Sequence, residues 1–341
     1  MTLAETLAVV VLLGVTFYAL FGGADLGAGF WDLLADNSQR GIKQRQLIER
    51  SIGPVWEANH VWLIFVLVVT WTCFPVVFGS VTSTLWIPFM LAALGIVARG
   101  STFAFREAVT KIWQKRILGV VFGISAIVVP FFLGTMAGAI ATGRVPVGVG
   151  TGNEITSWWN PVSIVTGLLS VAVCVYLSAV YLTAGAHRSG DAALVVQFRR
   201  RALLAGLMTV MIAAVGLVLI HHNSELLSHG LAHRGLLLVV VSGLAGLTAL
   251  GLLYREYFAA ARIVGAAAVA AILWGWAAAQ YPYVLNAKLT IAQAATVPTV
   301  LRATLLCLVI GAVLLIPSLT YLYILFRRHD YETDASKNNL I

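Results

Sequence analysis

The chain has 341 residues, of which 60% are hydrophobic and only 11% charged, and this excludes a soluble globular domain. Apolar runs recur along its whole length, and no polar block between them is long enough to fold separately. A net charge of +8 would suit a nucleic-acid binder, but the basic residues sort by membrane side instead.

In chain order, segments of spanning length fall at 5–34, 54–78, 81–106, 117–142, 161–186, 203–222, 234–254, 262–283 and 302–326. Each is long enough to cross a core of ~30 Å at ~1.5 Å per residue. The first run lacks a positive n-region and an A-x-A site, so a retained helix is expected there. Cys73, Cys174 and Cys307 each sit inside an apolar run without a C-x-x-C pairing, and read as core thiols. The connection 143–160 is Gly-rich, with Trp158 and Trp159 suited to an interfacial belt. The expected fold is therefore an all-α polytopic membrane protein, one integral membrane domain of nine transmembrane helices. No internal repeat is visible. By helix count alone, 1–142 and 161–283 form two four-helix bundles, with 302–326 as an additional helix and 327–341 as a tail.

Of the 22 Lys and Arg residues, 17 fall in one set of connections. Arg40, Lys43, Arg45 and Arg50 begin that set, and Arg327, Arg328 and Lys337 end it. The opposite set holds only Arg144, Arg234, Lys288 and Arg302. The positive-inside rule then places the N-terminus outside and the C-terminus in the cytoplasm, which requires an odd number of spans.

Three ionisable groups interrupt this pattern. "GGADLGAGFW" (22–31) places Asp25 in the first span, about two and a half turns before its inner end. "SIGPVWEANHVW" (51–62) opens the second span, with Pro54 in the first turn, Glu57 one turn in and His60 on the same face at i+3. Arg99 stands two turns before Arg106 in the third. Asp25, Glu57 and Arg99 thus fall on three consecutive helices in the cytoplasmic half, with Asp32 on the face of Asp25 seven residues later. An intramembrane charge costs about 3 kcal/mol on insertion scales, so each is expected to be paired, neutral or wetted. Two readings stand: a hydrated proton-handling route, or an Asp–Arg pair that holds helices in register beside the G-x-x-x-G of Gly23 and Gly27. Histidines offer little to a haem. His221, His222, His229 and His233 gather at one outer connection and read as solvated interface residues rather than metal ligands. Met136 and Met208 have no histidine partner at equal depth.

GADLGAG (23–29) followed by GPVWEANHVWLI (53–64), nine spans and a basic first inner loop resemble subunit II of cytochrome bd-type quinol oxidases. The resemblance implies a haem-free subunit, with two b-type haems, haem d and the quinol-oxidising loop in subunit I. It implies packing against subunit I as a pseudo-symmetric partner in a bacterial or archaeal cell membrane. The complex would handle quinol and oxygen, and would admit a structural quinone or lipid and a small accessory subunit. Glu57 takes the place of the principal acid of a cytoplasmic proton route that also draws on Asp25, His60 and Arg99. Trp62 falls on a residue lining a hydrophobic oxygen route. Ala24 departs from the family's Phe, and Gly22 stands where many members have an acid, which leaves Asp25 without a second carboxylate. The competing classes are a proton-coupled secondary transporter with buried Asp, Glu and Arg, and a purely structural assembly subunit. Against a transporter, the acids lie near one surface rather than at the midplane.

Overall fold

The computed structural model describes the chain except residues 37, 53–55, 107, 110, 286–287 and 339–341; the side chains of 52, 56–58, 106, 112, 316, 319–320 and 322–338 also lie outside the description. The first apolar run forms α1 (Leu3–Phe17) and α2 (Gly23–Leu33), joined without a break by a π-helical turn at Tyr18–Gly22. A capping box starts it: the Thr2 hydroxyl accepts from the Glu5 N–H at 3.3 Å, and Glu5 Oε2 accepts from the Thr2 N–H at 2.7 Å. In the following turn Asp36 Oδ1 accepts from the Ser38 hydroxyl at 2.5 Å and from its N–H at 3.1 Å. Those two bonds hold the Asp36 carboxyl below the usual carboxylate range. The first basic connection is itself a helix, α3 (Gln39–Ile52), which buries Gln44, Leu47 and Ile48 and turns Arg40, Lys43 and Arg50 to the outside.

The expected second span is two helices. α4 (Trp56–Cys73) stops at Phe74, and α5 (Pro75–Thr84) leaves at a bend of 118°. Pro75 has no N–H to continue the ladder, and its ring clashes with the preceding turn, whereas it suits the first position of a new helix. The carbonyl of Cys73, freed by the break, accepts from the Thr296 N–H at 2.9 Å. Residues 81–84, expected at the start of the third span, belong to α5 instead.

The remaining helices are α6 (Trp86–Arg106), α7 (Ile112–Ala141), α8 (Pro161–Arg188), α9 (Ala192–Asn223), α10 (Glu225–Ala232), α11 (Leu236–Tyr254) and α12 (Phe258–Gln280). A short antiparallel hairpin of β1 (Tyr283–Leu285) and β2 (Leu289–Thr290), in register Tyr283↔Thr290, follows, then α13 (Ile291–Ala294) and α14 (Pro298–Asn338). Among the described residues eight helices are long and apolar enough to cross a membrane, and a ninth crossing arises if the bent pair is taken as one span. The chain is a multi-pass membrane protein.

α9 starts eleven residues before the expected sixth span, because Asp191 accepts from the Leu194 N–H at 3.1 Å and sets the helix start there. Arg199, Arg200 and Arg201, read as loop residues, are therefore helical. The end opposite the N-terminus is tied by polar contacts: Lys43 Nζ–Asp191 Oδ2 at 3.7 Å, Arg201 Nη1 to Gln44 Oε1 at 2.9 Å, and Arg199 Nη1 to Glu256 Oε1 at 2.6 Å.

α8 is the central helix, packed on α2, α7, α9 and α12. Small residues allow this. A Cβ on Gly27 would fall onto the carbonyl of Cys174, and one on Gly138 would stand 2.7 Å from the Cα of Ser163. Backbones thus approach as closely as small-residue interfaces permit in membranes, where packing rather than the hydrophobic effect drives association.

Candidate functional site: the buried Asp25–Arg99 pair

The close approach at Gly27 puts the first turn of α2 in the interior. Asp25 is 5% exposed, and Arg99, reaching across from α6, is 0% exposed. Arg99 Nη2 donates to Asp25 Oδ1 at 2.6 Å and to the Asp25 backbone carbonyl at 2.9 Å. The guanidinium lies over the Phe122 ring, with Cζ 4.0 Å from the centroid, and this cation–π contact takes up one flat face of the ion. Gly29 makes room, since a Cβ there would stand 2.7 Å from Nη1.

The pair is neutral overall but incompletely satisfied. Among the described residues Asp25 Oδ2, Arg99 Nε and Arg99 Nη1 have no hydrogen-bond partner, nor has the nearby Ser178 hydroxyl. Interior polar atoms are seldom left so, because each unmet group costs about 1–3 kcal/mol. Removing either ion alone would leave the other charge buried and uncompensated. The arrangement can hold a carboxylate with one oxygen anchored and the other turned to a partner that is not a protein group of the described residues.

The other expected residues are placed around this pair in different ways. Asp32, 6% exposed, lies 3.8 Å from Arg45 Nε, so the two acids on one face of α2 meet different cations. Asn59 is buried and His60 half-buried, both in the first turns of α4. Trp62 stacks at a tilt on Phe17, with centroids 4.6 Å apart, and stands edge-on to Phe65 at 6.2 Å. Phe17 precedes Asp25 by eight residues, about 12 Å along the rod. Trp62 is therefore set against α1 rather than against the ion pair. Glu57 lies in the first turn of α4, and its side chain is outside the described residues. Among the described residues no group of three or more His, Cys, Asp or Glu is arranged to hold a metal ion.

Four neighbours were not among the expected site residues. Tyr18 lies within electrostatic reach of Asp25, Arg99 and Cys174; its spacing of seven from Asp25 places it on the same face and could have revealed it. Phe122 on α7, and Cys174 and Ser178 on α8, carry no such signal, since only the packing of distant helices brings them in.

Comparison with known proteins settles the family. The family described as "Cytochrome bd terminal oxidase subunit II" matches residues 3–326. The chain belongs to it. Among relatives of this subunit II chain, "Cytochrome bd ubiquinol oxidase subunit 2" of Bacillus subtilis is 27% identical over 209 residues, 60% of this chain and 59% of the relative. "Putative cytochrome bd menaquinol oxidase subunit II" of the same organism is 21% identical over 94% of this chain and 95% of its own length. "Cytochrome bd-I ubiquinol oxidase subunit 2" of Escherichia coli K12 is 26% identical over 51% of this chain and 45% of its own length. The first and third alignments thus span less than two thirds of those relatives. The solved bd oxidase of Geobacillus thermodenitrificans superposes with a TM-score of 0.76 at 26% identity, covering 96% of this chain and 99% of that one.

Proposed function

We propose that the chain is the haem-free subunit of a quinol:oxygen oxidoreductase, the terminal oxidase of an aerobic respiratory chain in a bacterial or archaeal cell membrane. In this reading it assembles with a haem-bearing subunit I and leads protons from the cytoplasm toward the interior. Membership of the subunit II family and the names of its relatives support the complex. The observation that carries the proton role is the buried Asp25–Arg99 pair, with one carboxylate oxygen anchored and the other lacking a protein partner among the described residues. The basic surplus supports an N-terminus outside and nine crossings, counting α4 with α5 as the second.

The haems of subunit I supply electron transfer and oxygen reduction. The residues of this chain prepare for the protons that oxygen reduction consumes. Glu57, in the first turn of α4 and five residues (about 7.5 Å of helix) from Trp62, accepts a proton near the basic end. His60, one turn further, shares that face. Asp25 continues the route inward: Arg99 fixes Oδ1, and Oδ2 exchanges a proton with water or a hydroxyl. Trp62, packed with Phe17 and Phe65, offers an apolar path suited to oxygen rather than protons.

The test is Glu57→Gln in the assembled complex. Quinol-driven oxygen consumption is expected to fall about tenfold or more, as for loss of a proton-transfer group, while haem content per complex stays unchanged. Full turnover in a correctly assembled Glu57→Gln complex would show that protons enter elsewhere.

A further inference from the structure

At the end that carries the N-terminus, the last turn of α10, the approach to α11 and the exit from α12 enclose a partly open cavity of about 150 Å³. Its polar lining is His229, His233 and Arg234 on one side and Gln280, Tyr281 and Tyr283 on the other. No carboxylate is among the lining residues. We propose that this cavity is an anion site that takes a single phosphate group.

The proposal stands on which donors are already used. Arg234 Nη1 donates to the Tyr281 carbonyl, which anchors the guanidinium at the rim. Among the described residues its Nε and Nη2 make no other hydrogen bond, so they remain for a ligand. The His229 and His233 rings stack with centroids 4.0 Å apart and planes 15° from parallel. His233 Nδ1 donates to the His229 carbonyl at 2.9 Å, so its Nε2 can donate to an anion only as the imidazolium, and Arg234 and the His229 ring are the groups left to meet one. The carboxylate nearest in the network, Glu5, is engaged by the Thr2 N–H at 2.7 Å and by the Tyr281 hydroxyl at 2.9 Å. Its charge is thereby committed to the cap of α1.

The site is also rigid. Gly230 abuts the carbonyl of Ala279 so closely that no Cβ fits between them. α10 is thus pinned to the end of α12, which fixes the backbone that carries the two histidines. A cavity of this volume admits a group about the size of benzene. That is enough for a phosphate with its waters and too little for a nucleotide. Cationic and N–H donors with no lining carboxylate select an oxyanion. Two sources have this chemistry, the phosphodiester of a lipid headgroup and free inorganic phosphate.

The experiment uses the purified complex with its haem-bearing partner, delipidated in a neutral detergent. Binding of inorganic phosphate is read by calorimetry, and retention of dioleoyl phosphatidylglycerol by native mass spectrometry. Wild type should bind one of the two probes, and His229→Gln and Arg234→Gln should each weaken it about tenfold, the loss of a charge-assisted hydrogen bond. Retained lipid without phosphate binding identifies a headgroup as the source, and phosphate binding identifies the free anion. His229→Gln leaves the Arg234–Tyr281 anchor intact, so it serves if Arg234→Gln fails to fold. Wild type that binds neither probe, or a folded His229→Gln complex that binds as wild type does, would overturn the proposal. Neither readout depends on proton uptake through Glu57 or Asp25.

Discussion

Arg99 meets Asp25 through one nitrogen, and the rest of its guanidinium rests on Phe122 and against Gly29. This pair was legible in the sequence because each member is a lone charge in an apolar run, at matched depth on the first and third spans, which run in the same direction. Phe122 was not, since nothing local distinguishes it from the other aromatics of its helix. Whether the pair handles protons or only braces helices is separable by experiment. Asp25→Asn leaves the guanidinium buried without its counter-ion, a loss of about 3–5 kcal/mol, and should lower the yield of haem-loaded complex. Asp25→Leu combined with Arg99→Met removes both ions, so no uncompensated charge remains and assembly should recover. Oxygen consumption per haem should stay low in that double variant, because no carboxylate is left to exchange a proton. Recovery of both yield and turnover would reduce the pair to a structural brace.

At the scale of elements, hydropathy located the rods and missed where they bend and begin. The Pro75 break reads within an apolar run as one more residue, because composition says nothing of a 118° turn whose freed carbonyl is met by Thr296. The extension of α9 was hidden for the opposite reason. Arg199–Arg201 look like a polar loop, yet Phe198 and Ala202 are fully buried and Arg199 Nε donates to the Leu253 carbonyl at 3.0 Å. Their aliphatic stems can cover helix surface while the charged heads reach polar groups. The glycines of α2 were read as thin packing, and one has a measurable consequence. Gly27→Ala would set a methyl on the Cys174 carbonyl, forcing α2 away from α8 and carrying Asp25 with it. A loss of about 1–3 kcal/mol is expected, seen as a lower thermal midpoint of the complex. Gly119→Ala is the control, since no atom lies within 4 Å of the added carbon. Equal midpoints for the two variants would mean that the α2–α8 contact yields without cost.

For the whole molecule, the number of crossings decides on which sides the termini lie. Eight crossings put both ends of the chain on one side of the membrane, and nine put them on opposite sides. The bent pair settles the count according to whether α4 alone reaches across. α4 has 18 residues, about 27 Å of helix, close to the hydrocarbon thickness. Its far end bonds Thr296 just before α14, and α13 in turn packs on α1, so α4 ends where the chain starts. α5 then runs aside at that end, where Ser80 and Ser83 accept from the N–H groups of Gly148 and Gly150 at 2.9 and 3.0 Å. This arrangement supports the proposal that α4 is a full crossing and α5 adds none. The 17 basic residues of the remaining connections then gather opposite the N-terminus. Reporter fusions after Ser189 and Asn338 should therefore both report cytoplasm, and one inserted at Gly150 should report the exterior. A cytoplasmic signal at Gly150 together with an external one at Asn338 would invert the whole molecule. An external signal at Asn338 alone would remove a crossing after Ser189 and leave the placement of Asp25 and Glu57 unchanged.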